Sequence, residues 1–176
     1  MDMIPIIIFS GCGDDTLPQM LKTAVQPFAV VTNEETGREG SDFFIKEVQE
    51  CTVFTQPVGI AVFQKSFLPN RLPHLPKDWI AVVDSDHDSV KAQFCKTGQI
   101  IVTYGTKPTD TFSISGLDGK QVSISLQRTV KAITGAVIEP CEITMTLTKP
   151  YHPCKLLPVA AVLLLAGIAW NETFIL

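Results

Sequence analysis

A short apolar run that leads straight into a glycine turn is the feature that most limits how this chain folds. Residues 6–10 read Ile-Ile-Ile-Phe-Ser, and Gly11 follows them. Such a run, bounded by turn residues, predicts a strand buried on both faces, as in a parallel sheet. Residues 16–25 then predict a helix with Asp14 or Asp15 at its N-cap. The start of the chain therefore predicts a strand, a turn and a helix in succession.

Further apolar runs recur along the first hundred residues, separated by loops or short helical segments. The strands predicted after the first are residues 28–32, 43–48, 58–63, 79–83 and 100–104, and residues 89–96 form a short helix. This order predicts an α/β fold with a mostly parallel sheet and flanking helices.

The pattern changes after about residue 105, where apolar and polar residues alternate. Gly116-Leu117-Asp118-Gly119 carries an Asp-Gly pair typical of a hairpin turn. Strands are predicted at residues 112–115, 121–126, 136–138 and 142–147. We expect a small antiparallel β-subsheet here, closed by an apolar C-terminal helix within residues 156–170. One domain spans residues 1–176, with the parallel core over about 4–105 and the subsheet and helix over about 106–176.

Composition excludes several classes of function. The net charge is −4, without a basic run, which argues against nucleic-acid binding through a general basic surface. The five cysteines form no Cys-x-x-Cys pair, so we expect reduced thiols in a cytoplasmic protein. The 15 apolar residues of segment 156–170 fall short of the roughly 20 that span a bilayer, so no membrane span is predicted.

The turn after the first strand has the layout of a phosphate-binding loop, in which backbone N–H groups and a helix N-terminus face an anion. The loop comprises Gly11, Cys12, Gly13, Asp14, Asp15 and Thr16. Asp15 stands where such a loop needs a lysine. At an effective dielectric constant near 20, two like charges about 4 Å apart repel by about 4 kcal/mol. We therefore expect this loop to bind ATP poorly.

These strings resemble the central, ATP-binding domain of the bacterial-type Mur ligases and of the related folylpolyglutamate synthetases. The phosphate loop of that family reads T-G-T-N-G-K-T-T and aligns with residues 10–17 without a gap. Gly11 matches a family glycine, Thr16 matches the magnesium-binding hydroxyl, and Asp15 takes the lysine position. The resemblance implies a P-loop-like parallel sheet and ATP-dependent joining of an amino acid to a carboxylate.

Other family motifs are present in part. Residues 44–48 match the family's V-x-E-V string and place Glu47 at a metal-binding position. Residues 150–160 keep only His152 and an Ala-rich helix from the motif beside the nucleotide. The family's Asp-His pair and both of its asparagines on the adenine side are missing.

The resemblance therefore implies a degenerate Mur-ligase-like domain, a pseudoenzyme that serves as a binding or interaction module. No catalytic residue is assigned and no cofactor is expected. A protein partner, ligase-like or a cell-wall enzyme, fits this interpretation. The alternative is an ATP-dependent amide-bond-forming ligase, or another nucleotide-binding enzyme, that uses Mg²⁺ and ATP with a partner subunit. In that case Lys46, Lys65 or Lys155 would replace the missing lysine.

Three local patterns leave alternatives open. The acidic side chains near the loop, with Thr16 and Glu47, suit Mg²⁺ or Ca²⁺, or one aspartate caps the helix while the other is solvated. Residues 84–88 read Asp-Ser-Asp-His-Asp but lack the later ligands of a calcium loop, so a solvated turn and helix cap is expected. Cys12 is either an unreactive thiol or a nucleophile favoured by the helix dipole.

Overall fold

The first strand and helix form the predicted unit. In the computed structural model, which describes residues 3–11, 15–28, 31–32, 42–50, 54–168 and 174–176, strand β1 spans Ile4–Phe9 and helix α1 spans Thr16–Val25. The side chains of β1 from Pro5 onward are buried, as expected for a strand covered on both faces. The loop residues 12–14, including Cys12, lie outside the described residues.

The other elements follow the predicted order closely. The other helices of the described segments are α2 (Asp88–Thr97) and α3 (Pro153–Leu165). The remaining strands are β2 (Val31–Thr32), β3 (Phe43–Val48), β4 (Val58–Phe63), β5 (Asp78–Asp84), β6 (Ile100–Gly105), β7 (Phe112–Leu117), β8 (Gln121–Leu126), β9 (Val130–Lys131), β10 (Val137–Ile138), β11 (Cys141–Thr146) and β12 (Phe174–Ile175).

Within the described residues, ten strands form one mixed sheet in the order β12-β11-β8-β7-β6-β5-β4-β1-β3-β2, and β9 pairs with β10 separately. Pairing is parallel from β2 through β7. In this register Ile6 of β1 lies between Ile45 of β3 and Ile60 of β4. The predicted α/β fold with a mostly parallel sheet is confirmed.

The two faces of the sheet are covered differently. Helices α1 and α3 cover one face, where their apolar side chains form a single large core with the strands. Helix α2 and the irregular segment 64–77 cover the other face, over a core rich in aromatic rings. Segment 64–77 contains three prolines, which oppose a helix there.

The predicted antiparallel subsheet is present only in part. Strands β9 and β10 form a separate two-stranded antiparallel sheet, whereas β7, β8 and β11 belong to the main sheet. Strand β7 pairs with β6 in parallel through two residue pairs, and β8 and then β11 extend the same sheet. Parallel pairing thus continues past residue 105. It stays short because residues 106–111 are too few for a full crossover between parallel strands. The backbone N–H of Lys107 donates to Asp110 Oδ2 at 2.8 Å within this tight connection.

The apolar segment near the end of the chain forms α3 but does not close the chain. The helix begins at Pro153, three residues before the predicted start, so Pro158 lies inside it rather than in its first turn. Strand β12 follows and pairs in parallel with β11. In the part of the chain that the structure describes, no helix is long and apolar enough to cross a membrane.

Candidate functional site

The candidate site lies at the carboxyl ends of β1 and β3, which are neighbours in the sheet. Ser10, directly after β1, is buried, and its hydroxyl donates a short hydrogen bond to Glu47 Oε1. The backbone N–H of Ser10 also donates to the carbonyl of Val48 at 3.2 Å. Parallel pairing brings these ends together, and it explains why residues 37 positions apart meet here. The carboxylate of Glu47 is thus already held by a protein hydroxyl.

The turn after β1 is packed against the segment that follows β4. The N–H of Gly11 donates to Ser66 Oγ at 3.0 Å. A Cβ atom at Gly11 would lie 2.7 Å from the carbonyl oxygen of Ser66, which is too close for any other side chain. This N–H therefore serves an internal contact. Cys12, Gly13 and Asp14 lie outside the described residues, so the predictions for them stay predictions.

Asp15 and Thr16 stand at the start of α1, as the sequence predicts. Asp15 takes the N-cap position and is exposed, but its side chain makes no capping hydrogen bond to the helix backbone. Its Oδ2 lies 3.5 Å from Gln19 Nε2. Thr16 is half-buried as the first residue of the helix. A negative side chain therefore stands at the helix N-terminus where the family resemblance expects a lysine.

A cleft of about 350 Å³ runs from this position along α1. It is lined by Asp15, Thr16, Gln19, Met20, Thr23, Lys149 and Tyr151. The ammonium of Lys149 lies 5.2 Å from the centre of the Tyr151 ring, within the range of a cation–π contact. Neither residue is indicated by the sequence, because nothing in the residues before α3 predicts that they lie beside α1.

His152, the proposed remnant beside the nucleotide, caps a helix. It occupies the N-cap of α3, and its Nδ1 accepts a hydrogen bond from the N–H of Cys154 at 3.3 Å. The structure thus gives this exposed side chain a local structural role.

The lysines considered as replacements have partners of their own. Lys65 pairs with Asp86 at 3.4 Å, and Lys107 pairs with the same carboxylate at 2.8 Å. Hydrogen bonding and charge from Lys107, followed by those from Lys65, lower the pKa of Asp86. Lys46 lies on β3, half-buried.

The third lysine, Lys155, reaches the carboxyl end of β4. Its ammonium donates to Gln64 Oε1 at 2.7 Å, and the N–H of Gln64 donates to the carbonyl of Phe9 at 3.0 Å. Gln64 is 6% exposed, and within the described part of the chain its Nε2 has no hydrogen-bond partner. A lysine and an unsatisfied buried amide therefore lie together beside the end of β1.

The Asp-Ser-Asp-His-Asp string forms a turn that leads into α2. The Oδ1 of Asp84 accepts the N–H of Asp86 at 2.9 Å, and Asp86 is exposed. His87, rather than an aspartate, takes the N-cap position and is buried, and its Nε2 donates to the carbonyl oxygen of Phe67 at 2.5 Å. The turn is thus solvated in part, and its histidine anchors segment 64–77.

Two ionisable side chains, those of Tyr104 and Cys154, lie near Asp84. Burial and then the charge of Asp84 raise the pKa of Tyr104 well above its usual value, and the Tyr104 hydroxyl donates to the carbonyl of Phe63 at 3.4 Å. Desolvation, followed by the same carboxylate, raises the pKa of the Cys154 thiol. Both groups are kept protonated and therefore unsuited to act as anionic nucleophiles at neutral pH.

The metal prediction for Thr16 and Glu47 is not settled by the arrangement of acidic side chains. Among the described residues, no group of three or more His, Cys, Asp or Glu side chains is placed to hold a metal ion. The prediction also involves Asp14, which lies outside those residues, so it stays a prediction.

The fold is similar to that of known ligases. MurF from Acinetobacter baumannii matches 96% of this chain with 44% of its own, at a TM-score of 0.58 and 9% identity. The murein peptide ligase Mpl from Psychrobacter arcticus matches 94% with 44% of its own, at 0.59 and 12%. MurF from Thermotoga maritima, solved in complex with ADP, matches 98% with 47% of its own, at 0.57 and 10%. The sequence matches no protein-family profile and no curated protein.

These similarities define the class of fold. The chain is structurally similar to Mur ligases over somewhat less than half of their length, as one Mur-ligase-like domain would be. At 8–12% identity the similarity concerns the fold alone.

Proposed function

We propose that this chain is a Mur-ligase-like domain that no longer uses ATP and serves as a binding or interaction module. The observation that carries the proposal is Asp15, an exposed carboxylate at the N-terminus of α1 where the family resemblance expects the phosphate-binding lysine. A carboxylate at this point repels the phosphates that a lysine would attract.

Two contacts support the proposal. The N–H of Gly11 is bound to Ser66 Oγ and so is not directed to a phosphate oxygen. The carboxylate of Glu47, the expected metal ligand, accepts a hydrogen bond from the hydroxyl of Ser10. To bind a phosphate or a metal ion, the N–H of Gly11 and the carboxylate of Glu47 would each have to give up a hydrogen bond within the protein. The partner class that fits this proposal is a ligase-like or cell-wall enzyme.

Calorimetric titration with Mg-ATP tests the proposal. The natural chain is expected to show no binding up to millimolar nucleotide, and Asp15→Lys is expected to gain saturable binding. Glu139→Lys makes the same charge change at an exposed position outside the site and serves as the matched control. Micromolar binding by the natural chain, abolished by Asp15→Ala, would overturn the proposal.

A second candidate function is an ATP-dependent carboxylate–amine ligase, or another nucleotide-binding enzyme, that acts with a partner subunit. Lys155 favours it, because its ammonium lies beside the buried, unsatisfied amide of Gln64 at the end of β4, next to β1. Phosphate release from Mg-ATP, dependent on an amino acid and a carboxylate and lost in Lys155→Met but not in Lys120→Met, would support this candidate. No release across a broad panel of such pairs, with ligase partners added, would count against it.

A further inference from the structure

A further cleft lies on the opposite face of the sheet from α1, beside α2 and segment 64–77. Its volume is about 710 Å³, and its lining includes Phe54, which precedes β4, and Phe94 and Thr97 near the end of α2. The ring of Phe54 lies 6.3 Å from that of Phe9, the last residue of β1, so the cleft reaches toward the carboxyl ends of the strands. It nevertheless shares no lining residue with the cleft beside Asp15 on the α1 face.

The floor of the cleft belongs to the aromatic core of this face. The ring of Phe54 lies 4.5 Å from that of the buried Trp79, and the ring of Phe94 lies 5.1 Å from that of Phe63. The indole N–H of Trp79 donates to the carbonyl of Gln56 at 2.9 Å, which fixes the ring. Trp79 is fully buried and Phe94 is 3% exposed, so these rings support the half-buried ring of Phe54 from below. Phe54, with Leu72 and Pro76, provides an apolar surface that is present before a ligand arrives.

The rim of the cleft is basic in a chain whose net charge is −4. Arg71, His74 and Lys96 line it, and a smaller adjoining cleft of about 170 Å³ shares His74 and adds Lys77. No aspartate or glutamate among the described residues lines either cleft. Asp78, next to Lys77 in sequence, is not part of the lining. An apolar floor with a cationic rim complements a ligand that has an apolar body and one negative charge.

The size of the apolar surface favours a small molecule over a protein partner. Clefts of about 300–1,000 Å³ are typical of small-ligand sites. Among the described residues, the exposed large apolar side chains do not line this cleft; they are Leu68, Ile100, Leu117, Val137 and Ile175. The exposed large apolar side chains of the described residues thus lie outside the lining, whereas an interface-sized patch would include some of them.

We propose that this cleft binds a small apolar monoanion, an aromatic or medium-chain carboxylate, between the ring of Phe54 and the cations of the rim. The carboxylate lies against Lys96 while the apolar body covers Phe54, Leu72 and Pro76. This site is separate from the one in the proposed function, so the fate of either proposal leaves the other unchanged.

A matched pair of probes tests the charge requirement. 2-Naphthoate and 2-naphthylmethylamine share one apolar body and carry opposite charges at pH 7. Calorimetry on the full chain is expected to give saturable binding of naphthoate with a dissociation constant below about 1 mM, and binding of the amine at least tenfold weaker. Absence of naphthoate binding, or equal binding of the two probes, overturns the proposal.

Two pairs of variants test the location. Lys96→Glu is expected to weaken naphthoate binding about tenfold, since it places a like charge on the rim, whereas Lys120→Glu in the β7–β8 turn changes it less than about twofold. Gln93→Trp is expected to fill the cleft and abolish binding, while Ala92→Trp, exposed on α2 outside the lining, is expected to leave binding intact. Equal effects within either pair contradict this location.

Discussion

The two faces of the sheet are covered by helices of opposite character. In α3, every residue from Leu156 to Leu165 is buried, so that helix is enclosed between the sheet, α1 and the rest of the chain. In α2, only Val90 and Phe94 are buried. A helix that is apolar all round seals a face, whereas a narrow apolar stripe leaves open the area that it does not cover. The difference explains why the cleft of about 710 Å³ lies on the α2 face.

The largest expected effect compares one substitution on the two faces. Leu163→Ala on α3 is expected to lower the free energy of unfolding by about 2–5 kcal/mol, because the side chain is fully buried and its loss leaves a cavity. Leu72→Ala at the cleft is expected to cost about 1 kcal/mol or less, because Leu72 is only half-buried and its site is already open. Urea unfolding measures both. If the two variants lost equal free energy of unfolding, the α2 face of the sheet would be packed as tightly as the α3 face.

A smaller effect tests whether the α2 face is tight where it meets the sheet. A Cβ at Gly59 would lie 2.7 Å from the Trp79 ring and 2.9 Å from the Pro5 side chain. We therefore expect Gly59→Ala to destabilise the protein by about 1–3 kcal/mol in urea. Gly116→Ala is the control, since its Cβ would meet the nearest atom at 3.7 Å, and it should change stability by less than about 0.5 kcal/mol. If Gly59→Ala left the free energy of unfolding unchanged, the Trp79 ring would be able to move away from the added methyl group at little cost.

The smallest effect concerns the exposed charges where α2 begins. Lys107→Ala is expected to raise the pKa of Asp86 toward its ordinary value, since the hydrogen bond and charge of Lys107 are the main causes of its lowering. A lowered folded pKa means that the pair stabilises the protein above the ordinary carboxyl pKa of about 4, and that this contribution is lost as the pH falls through the folded value.

Carboxyl NMR titration of Asp86 checks this, with Lys91→Ala as the control. Lys91 pairs with Asp88 at 2.9 Å, so its removal should raise the pKa of Asp88 and leave that of Asp86 nearly unchanged. An Asp86 pKa that does not move in Lys107→Ala would contradict the assignment.

Local sequence predicted most elements because their signals are local. The bounds of α1, β3, β4 and β8 agree with the predicted ones. The hairpin turn at Asp118 is confirmed, and its Oδ1 accepts the N–H groups of Gln121 and Lys120 at 2.7 and 3.0 Å. Turn residues and apolar runs act over a few positions, so they can be identified without a partner.

The candidate site could be predicted only in part. The positions of Asp15 and Thr16 at the start of α1 follow from the glycine turn and the helix pattern. The bonds from Ser10 to Glu47 and from Gly11 to Ser66 could not be predicted from the residues, because they join segments 37 and 55 positions apart. Lys149 and Tyr151 line the same cleft as residues of α1, and this too depends on how α3 packs in the tertiary structure.

The sequence by itself determined the alternation of buried strands and helices, the acidic residue in the turn after β1, and the apolar character of α3. Tertiary structure decided that the antiparallel strands β8 and β11 join the main sheet, that β12 returns beside β11 after α3, and that the face under α2 keeps an open cleft. The physical reason is the separation along the chain over which each interaction acts. Propensity and capping act between near neighbours, whereas strand pairing and the cover of a face depend on which distant segments find one another.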